Sequence, residues 1–310
     1  MRESPGAGYR WVPQPCPICA TPPGKRLGSR GGTAHRQGLG VQCDVWQCVR
    51  CGLIFPNPMP LPIEGLGHHY ETDPDAYFAQ HELAQKVGIA ECLLREAQRL
   101  LGTKGRLLDI GSGRGELLRV AREQGWDVVG IEPSQRFAEY ASRYAGVEVH
   151  CAYLEECGLA ESSFDAVILS GVLEHMYTPE LVISEIARVL RTGGVLFIDV
   201  PNEHSLYARA GNLYQRLRGR DWVVNLSPTF SPYHVFGFGP QPLRRLLANH
   251  GLEVVKWRVF SGKSNLPARG GVMDKLERFA ADVVSIVGRF GELGVNIQTW
   301  ARKRPSGADA

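Results

Sequence analysis

Short apolar runs alternate with amphipathic segments along the chain from residue 105 onward. The runs are typical of strands that are buried on both faces of a parallel sheet. In the amphipathic segments, apolar residues recur at the spacing of a helix with one buried face. The alternation therefore predicts an α/β fold, in which helices cover both faces of a doubly wound sheet.

The same pattern sets the bounds of the elements. The predicted strands cover residues 106–110, 127–131, 147–149, 165–169, 195–200 and 252–260. The predicted helices cover residues 80–101, 116–124, 135–144, 181–190, 242–250 and 272–290. Doubly wound sheets bind ligands at the carboxyl ends of their strands, so candidate site residues are expected there.

The first 60 residues differ from the rest, because they are rich in Pro, Gly and Cys and contain only short β-like runs. A segment of this size cannot bury a core of its own, so we expect a small metal-stapled module at 1–60. The proline-rich stretch at 56–62 cannot sustain a helix and is interpreted as a linker. The predicted domains are this module, a linker and helical cap at 61–104, and an α/β domain at 105–310.

Two C-x-x-C pairs mark the module, and together they supply four thiol ligands: Cys16, Cys19, Cys48 and Cys51. Four thiolates at this spacing match a closed tetrahedral zinc site of the ribbon type, which predicts a structural zinc ion. Cys43 is a substitute ligand, although Cys48 and Cys51 make the better pair. The N-terminus lacks a secretory signal, so we expect a cytoplasmic protein, in which paired cysteines indicate metal binding rather than disulfides.

Composition and charge give weak information about the class of partner. Hydrophobic residues make up 44% of the chain and charged residues 22%, which is typical of a packed soluble core. The formal net charge of +3 is too small to indicate a nucleic-acid partner by itself. No apolar stretch is long enough to span a bilayer.

A glycine-rich loop follows the first predicted strand, in the sequence LLDIGSGRG at 107–115. Its glycines permit a tight turn and a close approach of a cofactor to the backbone. Glu132 ends the next strand, where its carboxylate can accept hydrogen bonds from both hydroxyls of a ribose. The strand–loop–helix order and the acidic strand end make this motif far more specific than glycines alone, and they indicate a nucleoside cofactor.

NAD and S-adenosylmethionine share this layout. A dinucleotide motif reads G-x-G-x-x-G and places a pyrophosphate at the helix N-terminus. Here the spacing is G-x-G-x-G, and Asp109 precedes the first glycine. Its carboxylate would repel a pyrophosphate but suits a ligand that carries an ammonium and a sulfonium, so the residues favour S-adenosylmethionine.

With these residues the sequence resembles the class I S-adenosylmethionine-dependent methyltransferases, of the bacterial type with an N-terminal zinc-ribbon module. The motifs that carry the resemblance are LLDIGSGRG, GIEPS at 130–134, SFDAVIL at 163–169, LEH at 173–175 and VLRTGG at 189–194. The resemblance spans about residues 105–260. It implies a Rossmann-like sheet with a final antiparallel strand at 295–302, and an enzyme that transfers a methyl group in line.

The resemblance also implies which residues contact the cofactor. Asp109, Gly111 and Gly113 would line its methionine end, and Glu132 would hold the ribose. Residues 152–154 would border the adenine, and the residues after the fourth strand would face the methyl group. The predicted cofactor-binding set is Asp109, Gly111, Ser112, Gly113, Glu132, Pro133, Tyr153, Leu154, Ser170 and Gly171.

Three residues are candidates for removing a proton from the acceptor. His175 follows the fourth strand, and Tyr233 and His234 lie in a segment that borders the acceptor pocket in family members of similar length. Histidine suits a general base because its unperturbed pKa is about 6.5. Local packing and hydrogen bonding remain the alternative for each of the three, and His204 is a weaker candidate.

Glu174 and His175 also resemble the metal-assisted O-methyltransferases of quinone biosynthesis. Those enzymes carry an additional acid a few residues earlier, where this chain has Gly171. The glycine disfavours a catalytic metal.

Residues 202–240 and the helix at 272–290 are predicted to cover the acceptor. Arginines in the first segment either clamp an anionic acceptor or form a solvated helix face: Arg209, Arg216, Arg218 and Arg220. The apolar stripe of the helix either packs on the sheet, forms the seam of a homodimer, or contacts a membrane surface. His68, His69, Tyr70 and Tyr77 precede the domain, where the tyrosines either cover the cofactor or pack.

A small-molecule acceptor is favoured, in the form of a sugar, lipid or natural product methylated at O, N or C. Nucleic acid is disfavoured, because residues 20–47 hold few lysines and little basic–aromatic interleaving. The fourth strand also lacks the Asn/Asp-Pro-Pro-aromatic motif of base N-methylation. The alternatives are a zinc-ribbon RNA methyltransferase and a non-catalytic protein that binds S-adenosylmethionine.

Overall fold

A computed structural model describes residues 8–63, 83–227, 233–261, 283–284, 286–288 and 291–305. Most of the predicted helix at 272–290 lies outside these residues, as do His68, His69, Tyr70 and Tyr77. The described chain forms one seven-stranded sheet and two small sheets of three and two strands. Within the described residues, no helix combines the length and apolar character that crossing a membrane requires.

The N-terminal module, residues 8–63, contains the two small sheets. Its strands are β1 (Tyr9–Val12), β2 (Lys25–Arg30), β3 (Cys43–Gln47), β4 (Ile54–Pro56) and β5 (Met59–Pro62). Strands β2, β3 and β4 form an antiparallel sheet, and β1 pairs antiparallel with β5.

The interpretation of residues 56–62 as a linker is wrong. Trp11 pairs with Pro60 and Val12 with Met59, so the second half of this stretch is strand β5. Proline lacks an N–H donor, but a two-stranded sheet consists of edge strands, which tolerate proline. The paired strands therefore continue past residue 60, to Pro62.

The seven-stranded sheet and its helices follow the module. The strands are β6 (Arg106–Ile110), β7 (Asp127–Ile131), β8 (Val149–His150), β9 (Phe164–Ser170), β10 (Leu190–Pro201), β11 (Leu252–Phe260) and β12 (Asn296–Lys303). The helices are α1 (Leu83–Leu101), α2 (Glu116–Glu123), α3 (Gln135–Ala145), α4 (Pro179–Val189), α5 (Leu206–Leu217) and α6 (Pro240–Asn249).

The strand order is β11-β12-β10-β9-β6-β7-β8. Strands β6 to β10 pair in parallel, whereas β12 is antiparallel to both β10 and β11. The order reverses between β6 and β9, so the carboxyl ends of these two strands border the crevice where such sheets bind ligands. The predicted doubly wound fold and its final antiparallel strand are both confirmed.

Helices cover both faces of this sheet, as the apolar runs predicted. Leu108 and Leu169 are fully buried in one core with Ile183 and Ile186 of α4. Leu107 and Phe197 belong to a second core, which includes residues of α1 and α2. Alternate residues of each strand therefore point into different cores.

The observed bounds of the strands differ most from the predicted ones where the apolar pattern of the sequence is weakest. The strand predicted at 147–149 is β8, which begins at Val149. The strand predicted at 195–200 is the longer β10, whose pairing with β9 shifts register between Leu190 and Val195. The glycines Gly193 and Gly194 lie within this shift and hid it from the apolar pattern.

The N-terminal module packs directly against the α/β domain. The backbones of Ile54 and Gly237 exchange two hydrogen bonds, at 3.0 and 2.7 Å. The guanidinium of Arg26 contacts Asp221, and the N–H of Ser29 donates to the carbonyl of Asp221 at 2.7 Å. These contacts place β2 and β4 beside the segment that leads to His234.

Candidate functional site

The glycine-rich loop joins the ends of β6 and β7. The N–H groups of Gly111 and Ser112 donate to the carbonyl of Ile131, at 2.8 and 3.1 Å. Gly111 has a φ of 72°, and a Cβ at this position would lie 2.6 Å from the Val172 side chain. Glycine is therefore required both by the backbone conformation and by the close approach of the loop after β9.

Glu132 is fixed at the end of β7 before any ligand binds. Its two carboxylate oxygens accept hydrogen bonds from the N–H groups of Gly113 and Ser134, at 3.0 and 3.1 Å. A carboxylate can accept about four hydrogen bonds, so both oxygens retain acceptor capacity. This orientation suits the two hydroxyls of a ribose.

Asp109 is buried at the end of β6, where 6% of the residue is exposed. Burial and the nearby carboxylates of Glu116 and Glu132 raise the pKa of Asp109 to about 8. In the free protein this carboxyl is therefore largely protonated at neutral pH. A cationic ligand beside it would favour the carboxylate and lower the pKa.

Cofactor binding is therefore expected to release a proton below about pH 8. Calorimetry at pH 7 in two buffers with different ionisation enthalpies would measure this release for S-adenosylmethionine. Affinity should rise as the pH rises towards 8, because a growing fraction of Asp109 is already ionised. Asp109→Asn should abolish the release, whereas Asp127→Asn, at an exposed position on β7, should retain it. If both variants release the same number of protons on cofactor binding, Asp109 does not contact the cationic end of the ligand.

The other predicted cofactor residues lie along the same edge of the sheet. The Ser112 hydroxyl donates to the carbonyl of Ile131 at 3.2 Å, and Pro133 separates Glu132 from the N-cap of α3. Tyr153 and Leu154 begin a short 3₁₀ helix after β8. Ser170 and Gly171 are exposed where β9 ends. The order of the strands places these residues along one edge of the sheet, and their contacts with a cofactor stay a prediction.

Two histidines meet beside the end of β9. The rings of His175 and His234 contact edge to face, with their centroids 4.7 Å apart. The carbonyl of Glu174 accepts hydrogen bonds from the N–H groups of Val235 and Phe236, at 2.8 and 3.1 Å. These bonds hold the segment that carries His234 against the 3₁₀ helix that carries His175.

The hydrogen bonds of His175 define its tautomer. Nδ1 lies 3.2 Å from the carbonyl oxygen of Tyr233, so Nδ1 carries the proton and donates it. The other ring nitrogen, Nε2, lies 4.0 Å from Oε1 of Glu174. Tyr233 therefore orients His175 through its backbone.

Burial shifts the pKa values of two members of this cluster, His234 and Glu174. Burial and the neighbouring His175 lower the pKa of His234 to about 3. Burial raises the pKa of Glu174 to about 8, and no partner in the described structure lies within hydrogen-bond distance of its Oε2. Glu174, His175 and His234 place one ligand atom each within 4.8 Å of one another, so they could also hold a metal ion. The sequence comparison with the quinone enzymes missed this arrangement, because His234 lies far along the chain.

The four predicted zinc ligands also converge. Their sulfur atoms all lie within 4.8 Å of one another, and those of Cys16 and Cys51 are 3.6 Å apart. A tetrahedral site with Zn–S bonds of about 2.3 Å separates its sulfurs by about 3.8 Å. Cys43 is not part of this cluster.

Both cysteine pairs form the same turn. The N–H of Ala20 donates to the carbonyl of Cys16 at 2.8 Å, and that of Gly52 donates to Cys48 at 2.9 Å. Hydrogen bonding to Cys16 and burial raise the pKa of Cys51. Burial also raises the pKa of Cys48. Several hydrogen bonds outweigh this effect and lower the pKa to about 6, and the largest of these contributions comes from the Thr21 hydroxyl. Four cysteine sulfurs clustered at this spacing could hold a metal ion, and the donor set fits zinc.

His204 connects the second cysteine turn to the α/β domain, a contact that the sequence did not reveal. Its Nε2–H donates to the carbonyl of Gly52 at 2.7 Å, and burial lowers its pKa. A Cβ at Gly52 would lie 2.8 Å from the imidazole ring. His204 therefore holds the module in place, which does not support the weaker interpretation of it as a base.

The arginine cluster has no common target in the described structure. Arg209 donates to the carbonyl of His204 at 3.0 Å. Arg218 and Arg220 lie over the rings of Tyr214 and Trp222, at 5.6 and 4.7 Å from the centroids. These contacts support the interpretation of a solvated helix face over that of an anion clamp.

Comparisons with known proteins agree with this geometry. A family profile described as a methyltransferase domain matches residues 79–256. A probable S-adenosylmethionine-dependent methyltransferase of Mycolicibacterium smegmatis is 27% identical over 74% of this chain and 81% of its own length. A ubiquinone biosynthesis O-methyltransferase of Rhizobium etli is 30% identical over 48% of this chain and 60% of its own length. The PH0226 protein of Pyrococcus horikoshii shares the fold, with a TM-score of 0.51 and 16% identity over 76% of this chain and 99% of its own.

Proposed function

Because the chain belongs to the methyltransferase-domain family and is an S-adenosylmethionine-dependent methyltransferase, we propose that it methylates a hydroxyl group of a small molecule. The observation that carries this proposal is the contact between His175 and His234, because His234 lines a narrow pocket together with Tyr177 and Tyr233. A narrow pocket suits a small acceptor better than a folded RNA. A neutral imidazole is in the form that accepts a proton.

Alignment supplies much of the catalysis in this proposal. S-adenosylmethionine provides a methyl group that its sulfonium already activates. Glu132 holds the ribose of the cofactor and Asp109 its methionine end, and the loop after β9 faces the methyl group. Positioning of two reactants in this way contributes about 7–11 kcal/mol to the reduction of a barrier.

Removal of a proton from the acceptor hydroxyl is the second contribution to the proposed catalysis. His234 lines the pocket, so it can contact the acceptor hydroxyl directly. His175 packs against it and is oriented by the Tyr233 carbonyl. Tyr233 also lines the pocket, where its phenol can donate a hydrogen bond to the acceptor. General-base assistance of this kind contributes about 10²–10⁴-fold to a rate.

Zinc has a structural part in this proposal. Cys16, Cys19, Cys48 and Cys51 would hold it in a closed site without an open coordination position. The bound ion would fix both cysteine turns. The hydrogen bond from His204 to the carbonyl of Gly52 would then hold the second turn against the α/β domain.

The proposed function is tested by label partition. The purified protein is incubated with methyl-labelled S-adenosylmethionine and an extract of its host from which the endogenous enzyme has been removed. Label in the small-molecule fraction is expected. Label in RNA would overturn the proposal and assign the N-terminal module to RNA recognition. Intact cofactor binding without any labelled product would instead favour a non-catalytic binding protein.

His234→Ala is expected to lower kcat by about 10²–10⁴-fold without changing cofactor affinity. Added imidazole should restore part of the activity, because the substitution leaves space for it. His250→Ala, which removes a histidine paired with Glu180 on another face, is the control and should keep normal turnover. Full turnover by His234→Ala would exclude it as a base, and a strict requirement for added Mg²⁺ would assign the cluster to metal binding.

A further inference from the structure

The pocket beside His234 has two walls from different parts of the chain. Tyr177, Tyr233 and His234 come from the α/β domain. Tyr9, Arg30 and Pro60 come from the N-terminal module, from β1, β2 and β5. An acceptor in this pocket would therefore contact the module as well as the proposed catalytic histidines.

Arg30 gives the module wall a positive charge. Its Nε donates to the carbonyl of Leu226 at 3.1 Å, and its Nη1 donates to the carbonyl of Val223 at 3.2 Å. These two bonds fix the guanidinium and use two of its five donors. Burial lowers the pKa of Arg30, but a guanidinium remains charged in proteins. Among the described residues that line the pocket, Arg30 is the one with a formal charge.

A buried acid, Glu203, stabilises the charge of Arg30 electrostatically, although the two side chains form no ion pair in the described structure. Glu203 interacts with Arg30 electrostatically, but burial raises the pKa of Glu203. Its Oε2 already accepts a hydrogen bond from Nδ2 of Asn225 at 3.0 Å. A partly buried guanidinium with donors to spare is a binding group for a carboxylate or phosphate.

The other side chains that line the pocket favour a ligand with a planar ring. Tyr9, Tyr177 and Tyr233 supply aromatic surface, and Pro56 and Pro60 supply flat apolar surface. Burial and the neighbouring Tyr233 raise the pKa of Tyr9 to about 12, so its phenol stays protonated. Such a pocket suits an aromatic molecule with polar substituents.

We propose, on the basis of the proposed function, that the acceptor is an aromatic hydroxyl compound with an anionic substituent, which Arg30 binds while the hydroxyl faces His234. The N-terminal module is then a specificity element as well as a zinc-stabilised scaffold. The phenol proton passes to His234, its oxygen bonds to the methyl carbon, and the carbon–sulfur bond breaks to leave a neutral thioether.

The test starts from the labelled small molecule found by label partition. Its retention on an anion exchanger before and after phosphatase treatment shows whether it carries a carboxylate or a phosphate. Its absorbance spectrum shows whether it is aromatic. Kinetics with the purified acceptor then compare wild type with Arg30→Gln and Arg30→Lys. The control is Arg26→Gln, which removes another β2 arginine that contacts the α/β domain but does not line the pocket.

An anionic aromatic product is expected. Arg30→Gln should raise KM by about 10–100-fold, Arg30→Lys should raise it less, and Arg26→Gln should leave it unchanged. Zinc content and thermal unfolding, measured on every variant, identify any loss of the module itself. A neutral or non-aromatic product, or equal KM values for Arg30→Gln and Arg26→Gln, would overturn the assignment of Arg30 while the proposed function stands. Absence of any labelled small molecule would refute both.

Discussion

Replacement of both Cys48 and Cys51 by serine is expected to remove zinc, unfold the N-terminal module and abolish methyl transfer. The two thiols are 1% and 0% exposed in the centre of the module. Structural zinc contributes about 10–16 kcal/mol to folding in small zinc peptides. The module's own sheets have only three and two strands, so this is the largest stability effect that we expect from any substitution.

Metal analysis and thermal unfolding measure this effect together. Wild type should hold one zinc ion per chain, and the double variant should hold none and lose the unfolding transition of the N-terminal module. Cys92→Ser is the control, because Cys92 is exposed on α1 and outside the cluster. Cofactor affinity should survive in the double variant, since the Glu132 site lies within the α/β domain. Normal turnover without bound metal would contradict a structural zinc.

Glu132→Ala is expected to weaken binding of S-adenosylmethionine by at least about 100-fold. Two charge-assisted hydrogen bonds to the ribose would be lost, and each is worth about 1.5–3 kcal/mol. The N–H groups of Gly113 and Ser134 would also lose their acceptor, which loosens the loop that faces the methionine end. Calorimetry with purified variants measures the affinity directly.

Two comparisons sharpen this measurement. Glu132→Gln keeps the size of the side chain but removes its charge, so its affinity should fall between those of wild type and Glu132→Ala. Glu139→Ala, on the exposed face of α3, should bind as wild type does. Unchanged affinity in Glu132→Ala would defeat the ribose assignment and, with it, the orientation of the cofactor.

The sequence predicted the parts of the fold that depend on local pattern. The buried strand β9 is apolar throughout its centre. The glycines of the loop from Gly111 to Gly115 indicate a tight turn from the sequence alone. The cysteine spacing likewise predicted which four sulfurs would converge. Strand β5 escaped prediction, because proline at an edge strand reads as a linker until its pairing with β1 is known.

Contacts between distant segments could not be predicted in this way. Arg30 and His234 are separated by most of the chain, yet both line one pocket. The approach of His234 to Glu174 depends on two backbone hydrogen bonds that no side-chain pattern encodes. Such contacts determine which acceptor fits, whereas the cofactor motif is local and was found from the sequence.

A crystal structure with S-adenosylhomocysteine and the purified acceptor tests the central claim most directly, namely that methyl transfer takes place between the β9 end and the N-terminal module. The acceptor hydroxyl should point at the cofactor sulfur from within hydrogen-bond distance of His234, with the anionic group on Arg30. An acceptor bound elsewhere on the sheet edge, with the module wall empty, would contradict the account.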